Sequence, residues 1–161
     1  MSPANVKGTA GSMAWGTPPA LFERLNTWFA FDYDPFASHT NALCTDYSTV
    51  DGTWMKEYDD KPYQYSTEDG LTHSWQGSRV YMNPPFTRGL IGQCVQKAYE
   101  ERVNADIIVG LIPFDPSIRW WNSYVEGHCI VLPLPKRVHF VGGKSGATHP
   151  VCVAIWKKTL I

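Results

Sequence analysis

The tetrapeptide Asn83-Pro84-Pro85-Phe86 is the stretch whose residue types and spacing are best suited to chemistry. Its prolines restrict φ at their own positions and bias the preceding residue to extended geometry, so Asn83 and Phe86 are presented in a fixed relation. The Asn83 amide oxygen and the Pro84 carbonyl offer two acceptors, which match the two N–H donors of an exocyclic amine. Phe86 could then stack on the ring that carries the amine. The competing interpretation is a proline-rich turn with a buried phenylalanine.

The tetrapeptide Asn83–Phe86, called the elbow below, also lies where one class of fold binds its ligands. It follows the apolar run RVYM, which predicts a strand, and open α/β sheets bind ligands beyond the carboxyl ends of their strands. Upstream, FAFDYDPFA alternates like a strand that ends in an acidic loop at Pro35. Before it, TPPALFERLNTWFAF predicts an amphipathic helix with Thr17 as N-cap, Pro18 at the first helical position, and apolar residues at helical spacing: Leu21, Phe22, Leu25, Trp28 and Phe29.

The remaining elements alternate between helices and apolar strands. Helices are predicted by GLIGQCVQKAYEERVN and PSIRWWNSYVEG, and strands by ADIIVGLIP, HCIVLPLP and VCVAIWKK. Such alternation is typical of an α/β fold with a mostly parallel sheet covered on both faces. Residues 38–78 predict a long irregular region, and residues 136–150 predict a basic, glycine-rich loop or hairpin.

The length, charge and composition of the chain limit the class of protein to which it can belong. At 161 residues we expect a flexible arm over 1–14 and a single domain over 15–161. A net charge of −1 argues against broad electrostatic capture of nucleic acid, so any contact with it should be local. The four cysteines are scattered, no leader is evident, and no apolar run approaches the roughly 18 residues of a membrane span. We therefore expect a cytoplasmic protein with no membrane partner, and with no metal, because its histidines lack ligand spacing.

The elbow resembles a known catalytic motif. NPPF is similar to the [D/N/S]PP[Y/F/W] motif of amino-methyltransferases, which move a methyl group from S-adenosylmethionine to adenine N6 or cytosine N4. The same tetrapeptide occurs in enzymes that methylate the side-chain amide of glutamine in proteins. The motif alone therefore indicates the amine chemistry and leaves the acceptor open.

Two further segments narrow the resemblance. TPPALFERL resembles the TPxx[L/V] segment of adenine methyltransferases, a helix start near the methionine portion of the cofactor. FDYDPFA resembles their acidic-Pro-x-Ala element, in which a strand-end carboxylate lies near the amino acid end of the cofactor. A carboxylate suits the positive amino group of S-adenosylmethionine, and the exposed N–H groups of a helix start suit its carboxylate.

From about residue 15 to 156, the order of segments resembles that of the phage-type DNA N-6-adenine methyltransferases, the Dam family. The resemblance implies a single-domain, Rossmann-like, S-adenosylmethionine-dependent fold in a reduced version. It implies a flipped adenine of double-stranded DNA as substrate, and phage or prophage DNA modification that protects against host restriction. The implied catalytic residues are those of the elbow, and the implied cofactor contacts are Trp15, Thr17, Pro18, Asp34, Pro35, Phe36, Ala37, Asp69, Leu71 and Asn83.

Two departures from the family pattern affect the prediction. The glycine-rich F-x-G-x-G loop of the wider superfamily is absent. The sequence therefore lacks the motif that would indicate how the adenosine half of the cofactor is held. Residues 50–68 look like an extended middle segment, either a specificity insert or a solvated loop. Asp69, Leu71 and Trp75 are placed where they could approach the cofactor's adenine. Asp69-Gly70 is also a plain turn signal, and a core position is the favoured alternative for Trp75.

We expect the DNA contacts to come from cationic and aromatic residues near the elbow and in the basic loop. For that loop, a solvated hairpin is the alternative. Specificity would come from the loops at 38–78 and 136–149. A dimer would enlarge the DNA footprint, and the oligomeric state is left open. The predicted DNA-contacting residues are Arg88, Arg119, Trp120, Lys136, Arg137, His139 and Lys144.

Two other functions compete with DNA adenine methylation. One keeps the chemistry and changes the acceptor to cytosine N4, RNA adenine or protein glutamine. The other is a catalytically silent fold that binds DNA or a partner, for example as an antirestriction or decoy factor. The missing glycine loop is the feature that favours the silent fold.

Overall fold

The computed structural model describes residues 16–38, 41–49, 69–143, 147 and 149–159. The predicted arm over 1–14 and the segment 50–68 lie outside these residues. The described helices are α1 (Pro19–Phe29), α2 (Leu90–Glu101) and α3 (Arg119–Tyr124). The described strands are β1 (Tyr33–Asp34), β2 (Asp46–Tyr47), β3 (Arg79–Met82), β4 (Ile107–Pro113), β5 (Ile130–Pro133) and β6 (Val151–Trp156).

The strands form one six-stranded sheet in the order β2-β1-β3-β4-β6-β5. β2, β1, β3 and β4 run parallel, and β6 lies antiparallel to both of its neighbours, β4 and β5. The predicted α/β fold with a mostly parallel sheet is therefore confirmed. Because β1 to β5 all point the same way, their carboxyl ends meet at one edge of the sheet, and β6 begins at that edge.

Each face of the sheet carries its own core. On one face, β4 and β6 side chains such as Val109, Leu111 and Val153 pack with Leu21, Leu25 and Phe29 of α1. On the other face, alternate residues of β3, β4 and β6 pack under α2 and α3 with the fully buried Trp75. The period-2 alternation of the strands thus sends successive side chains to opposite cores, as a doubly covered sheet requires.

The structure corrects three local predictions. A two-residue strand, β2, lies inside the region predicted to be irregular. Trp28 is 81% exposed, so it does not belong to the packed face of α1. Thr17 is not a helix cap: α1 begins at Pro19, its N-cap residue is Pro18, and no side chain caps it. The Thr17 hydroxyl instead forms a hydrogen bond with the Tyr81 hydroxyl, which accounts for the absent cap.

Candidate active site

The elbow predicted to be catalytic lies at the carboxyl edge of the sheet, directly after β3. Asn83 is half-buried, and Pro84 and Pro85 are buried. Phe86 is partly buried and packs against the cores of both faces. The elbow therefore spans the end of the sheet between its two layers, where rigid prolines hold the side chains on either side of them in place.

A cleft at this edge brings together residues that are far apart in the sequence. Its described walls come from the segment before α1, the loop after β1, and the ends of β1 and β3. Four predicted site residues, Thr17, Asp34, Phe36 and Asn83, meet in it. The other described lining residues, which the sequence did not single out, are Gly16, Asn41, Leu43 and Tyr81.

Asp34 places a buried carboxylate in this cleft. It is 4% exposed, and burial raises its pKa from 3.8 to about 7, although backbone N–H groups, including that of Leu43, act in the opposite direction. Among the described residues, no lysine, arginine or histidine forms an ion pair with it. A buried carboxylate without a cationic partner is costly, and a ligand that brings a positive charge relieves that cost.

Tyr81 is the cleft residue that sequence reasoning missed. Its ring is fully buried, packs edge to face on Phe22, and its hydroxyl shares a hydrogen bond with Thr17. The same burial raises the pKa of the Tyr81 hydroxyl, so it stays protonated. The signal was available in the sequence, because side chains two residues apart in a strand point to the same side, and Tyr81 precedes Asn83 by two.

The turn at Asp69 supports the loop after β1 from behind. The Gly70 N–H donates to the Thr49 carbonyl, and an added Cβ at Gly70 would lie 1.9 Å from the Pro35 carbonyl oxygen. Only glycine allows this approach of two backbones. Asp69 accepts a hydrogen bond from the Leu71 N–H, and Leu71 packs against the core under α2. Neither of these two residues is among the described walls of the cleft.

The remaining residues predicted to contact the cofactor differ in burial and position. Pro18 is half-buried at the start of α1, and Pro35, Phe36 and Ala37 are buried in the loop after β1. Phe36 packs edge to face on Trp75, so its ring belongs to the core as well as to the cleft wall. Trp15 lies outside the described residues.

The predicted DNA-contacting residues lie around the same edge. Arg88 and Arg119 are exposed, one after the elbow and one at the start of α3. Trp120 is half-buried and packs against Gly92 of α2. In the basic loop Lys136, Arg137 and His139 are exposed, and the Arg137 guanidinium donates to the Ala147 carbonyl. Lys144 lies outside the described residues.

A larger cavity lies elsewhere and contains none of these residues. It has a volume of about 350 Å³ and is lined by Phe114, Trp121, Cys129 and their neighbours between α3 and β5. Its described walls are mainly apolar, so the cleft with Asp34 and Asn83 is the better candidate for amine chemistry. Within the described ranges, no group of three or more histidine, cysteine, aspartate or glutamate residues is placed to hold a metal ion.

A family model described as DNA N-6-adenine-methyltransferase (Dam) matches residues 7–152, which is most of the chain. The chain belongs to the Dam family. This Dam-family chain is also 25% identical, over 150 residues, to the DNA N-6-adenine-methyltransferase of Haemophilus phage HP1 (strain HP1c1). That match covers 91% of this chain and 76% of the phage protein. The resemblance of the sequence to this family is thereby confirmed.

Two solved structures, both titled as putative methyltransferases, share the fold. One is an RNA methyltransferase from Pyrococcus horikoshii, with a TM-score of 0.55 and 16% identity, covering 87% of this chain and 80% of that one. The other is from Escherichia coli, with a TM-score of 0.50 and 13% identity, covering 88% and 89%. At these identities the likeness shows a methyltransferase fold and nothing about the acceptor.

Membership of this family makes the chain an enzyme that methylates DNA at adenine N6. DNA is accordingly its substrate. Of the helices that the structure describes, none combines the length and the apolar character needed to cross a membrane.

Proposed function

We propose that this Dam-family chain uses S-adenosylmethionine to methylate the N6 amine of an adenine flipped out of double-stranded DNA, with Asn83 holding the amine. The observation that carries the proposal is that Asp34 and Asn83 line one cleft at the carboxyl edge of the sheet. One side chain suits the cofactor's ammonium group and the other suits the acceptor's amine, so cofactor and acceptor would meet there.

The residues of the cleft fit the amino acid end of S-adenosylmethionine. That cofactor supplies an electrophilic methyl group on a sulfonium. The carboxylate of Asp34, buried and without a described cationic partner, would bind the ammonium group. The segment Gly16–Thr17 before α1 would lie beside the cofactor's carboxylate.

The adenosine half of the cofactor would lie against the loop after β1. Phe36 forms a wall of the cleft, and the Asp69 turn packs directly behind Pro35. We assign adenosine contacts to Phe36, Ala37, Asp69 and Leu71 on this basis. In this arrangement Gly70, and not a glycine-rich loop, allows the close backbone approach that shapes this wall of the site.

The acceptor side of the site works by positioning. The Asn83 amide oxygen and the Pro84 carbonyl would accept hydrogen bonds from the two N–H groups of the adenine amine, so that the nitrogen lone pair faces the methyl group. Phe86 would stack on the base. Holding two reactants in near-attack geometry can lower a barrier by about 7–11 kcal/mol, and no covalent enzyme intermediate is needed.

The DNA backbone would be bound around the same edge. Arg88 lies between the elbow and α2, and Arg119 lies at the start of α3. Lys136 and His139 lie in the loop that packs near Phe86. A ring of separated cations positions a duplex without the broad charge that the balanced composition excludes. For the organism that carries it, methylated adenine would protect DNA against restriction.

Sequencing of modified bases tests the proposal in DNA from cells that express either the wild-type chain or Asn83→Ala. We expect N6-methyladenine in a defined sequence context with the wild type and none with the variant. Binding of S-adenosylmethionine, measured by calorimetry, should be retained by the variant because Asp34 is unchanged. Methylation retained by Asn83→Ala would remove Asn83 from the mechanism.

The wild-type result also decides between acceptors. N4-methylcytosine in the DNA would mean that the same site methylates the amine of cytosine and not that of adenine. Unmodified DNA together with cofactor binding would point to RNA or protein glutamine as the acceptor. A wild-type chain that does not bind the cofactor would be a silent fold.

A further inference from the structure

Phe140 lies in the loop between β5 and β6 and packs against the elbow. It is 5% exposed, and its ring meets the ring of Phe86 edge to face, with centroids 5.8 Å apart and planes at 87°. Phe86 is only partly buried, so part of its surface is available to a ligand. The contact with Phe140 restricts the plane in which that available ring can lie.

The next residue of the loop contacts the other half of the site. The Val141 N–H donates to the Gly16 carbonyl at 2.8 Å, and the Gly16 N–H donates to the Val141 carbonyl at 3.0 Å. Gly16 and Thr17 are walls of the cleft that also holds Asp34. Two consecutive residues therefore connect the base-stacking ring, through Phe140, to the cofactor segment, through Val141.

The described residues of this loop are anchored by hydrogen bonds and by burial. The Ala147 N–H donates to the Val138 carbonyl at 2.8 Å, and the Arg137 guanidinium donates to the Ala147 carbonyl. Val138, Phe140 and Ala147 are buried in the same core cluster. Buried residues that are also held by backbone hydrogen bonds resist displacement one by one, because packed interiors deform poorly.

We propose that Phe140 is a positioning residue that sets the ring plane of Phe86, and that the Phe140–Val141 pair couples cofactor binding to stacking of the target base. The inference rests on the proposed function and deepens it. Phe140 does not touch the substrate. A cofactor that orders Gly16–Thr17 would fix Val141, and Val141 would hold Phe140 against Phe86. Such coupling is reciprocal, so bound DNA would also favour cofactor binding.

The test compares wild type with Phe140→Leu, which keeps an apolar side chain and removes the ring. Phe140→Tyr, which keeps the ring, is the conservative rescue. Val153→Ala is the matched control, since Val153 is 3% exposed in the same core cluster but belongs to β6. Turnover of each protein is measured on the duplex that sequencing identifies for the wild type. Fluorescence is measured on a second duplex of the same sequence with 2-aminopurine in place of the target adenine.

We expect Phe140→Leu to lower kcat about tenfold, because the orientation of the base is lost, while the affinity of the DNA-free protein for S-adenosylmethionine changes less than about twofold. S-adenosylhomocysteine should tighten DNA binding at least about fivefold in the wild type and not in Phe140→Leu. The 2-aminopurine emission should rise in Phe140→Leu as stacking on Phe86 weakens. Phe140→Tyr should restore all three values, and Val153→Ala should lower thermal stability without changing them.

The inference would be overturned if Phe140→Leu and Val153→Ala lowered kcat alike. It would also be overturned if S-adenosylhomocysteine tightened DNA binding as much in Phe140→Leu as in the wild type and the 2-aminopurine emission were unchanged. These outcomes are distinct from failure of the proposed function. If the wild type methylates no DNA, the proposed function is wrong, whereas an active wild type with an unaffected Phe140→Leu contradicts only the role of Phe140.

Discussion

Thr17 and Tyr81 share a buried hydroxyl–hydroxyl hydrogen bond that joins the segment before α1 to the strand that leads into Asn83. The two residues are 64 positions apart in the chain. Both side chains are buried and both line the cleft of Asp34. The wall of the candidate cofactor site is therefore tied directly to the strand that positions the candidate catalytic amide.

A double-mutant cycle on this pair should show strong coupling. Tyr81→Phe or Thr17→Val alone leaves one buried hydroxyl without its partner, and we expect each to lower the free energy of unfolding by about 1–2 kcal/mol. The double variant should lose less than the sum, because both polar groups are then removed. Urea denaturation measures the three values. Strict additivity would mean that the hydrogen bond contributes nothing to stability.

Asp34 should make the stability of the cofactor-free protein depend on pH. Its folded pKa is raised from 3.8 to about 7, so between these values the folded chain holds a proton that the unfolded chain has released. Stability from this group is therefore fully present below about pH 4 and falls as the pH rises to about 7. Relative to Asp34→Asn, we expect the wild type to lose about 2–3 kcal/mol of unfolding free energy between pH 5 and pH 8.

The same carboxylate should link cofactor binding to proton release. A bound ammonium group favours the ionised form of Asp34, so the affinity for S-adenosylmethionine should increase as the pH rises from 6 to 8. Calorimetry at pH 6 in buffers of different ionisation enthalpy should detect protons released on binding. Asp34→Asn should bind weakly at every pH and release none. A pH-independent affinity in the wild type would contradict contact between Asp34 and the ammonium group.

Gly70→Ala should disturb the loop after β1. The new methyl group would lie 1.9 Å from the Pro35 carbonyl oxygen, so one of the two backbone segments must move. We expect a loss of about 1–3 kcal/mol in unfolding free energy and a weaker affinity for S-adenosylmethionine. Gly16→Ala is the stability control, because its methyl group would meet Val141 Cβ at an ordinary 3.4 Å. Equal effects of the two substitutions in thermal melts would argue against the close approach at Gly70.

Lys136→Ala should weaken DNA binding through a lost phosphate contact. We expect the KM for DNA to rise and the slope of log affinity against log salt concentration to decrease in magnitude by about one. Lys158→Ala is the matched control, since β6 runs antiparallel to β4 and carries Lys158 to the opposite edge of the sheet. Salt titrations of both variants that gave the wild-type slope would place the DNA away from the basic loop.

Most of the fold was predictable from the sequence, because the periodicity of apolar residues reports local structure directly. The buried pattern of β4 and the apolar face of α2 follow from their spacing, and both are found. The motifs NPPF and DPFA are short and contiguous, so their backbone constraints are local as well. The antiparallel position of β6 between β4 and β5 is not local, and no spacing in the chain announced it.

The assembly of the site depended on tertiary structure. Thr17 looked like a helix cap until Tyr81, fixed by the pairing of β3, came within reach of its hydroxyl. The sequence around Phe140 predicts only a basic loop and gives no indication of a contact with the elbow. The return of the chain from β5 to β6 nevertheless brings the Phe140 ring onto Phe86. Local rules can say which side chains an element presents, whereas the partner of each one is set by loop paths and strand order, which no short stretch of sequence contains.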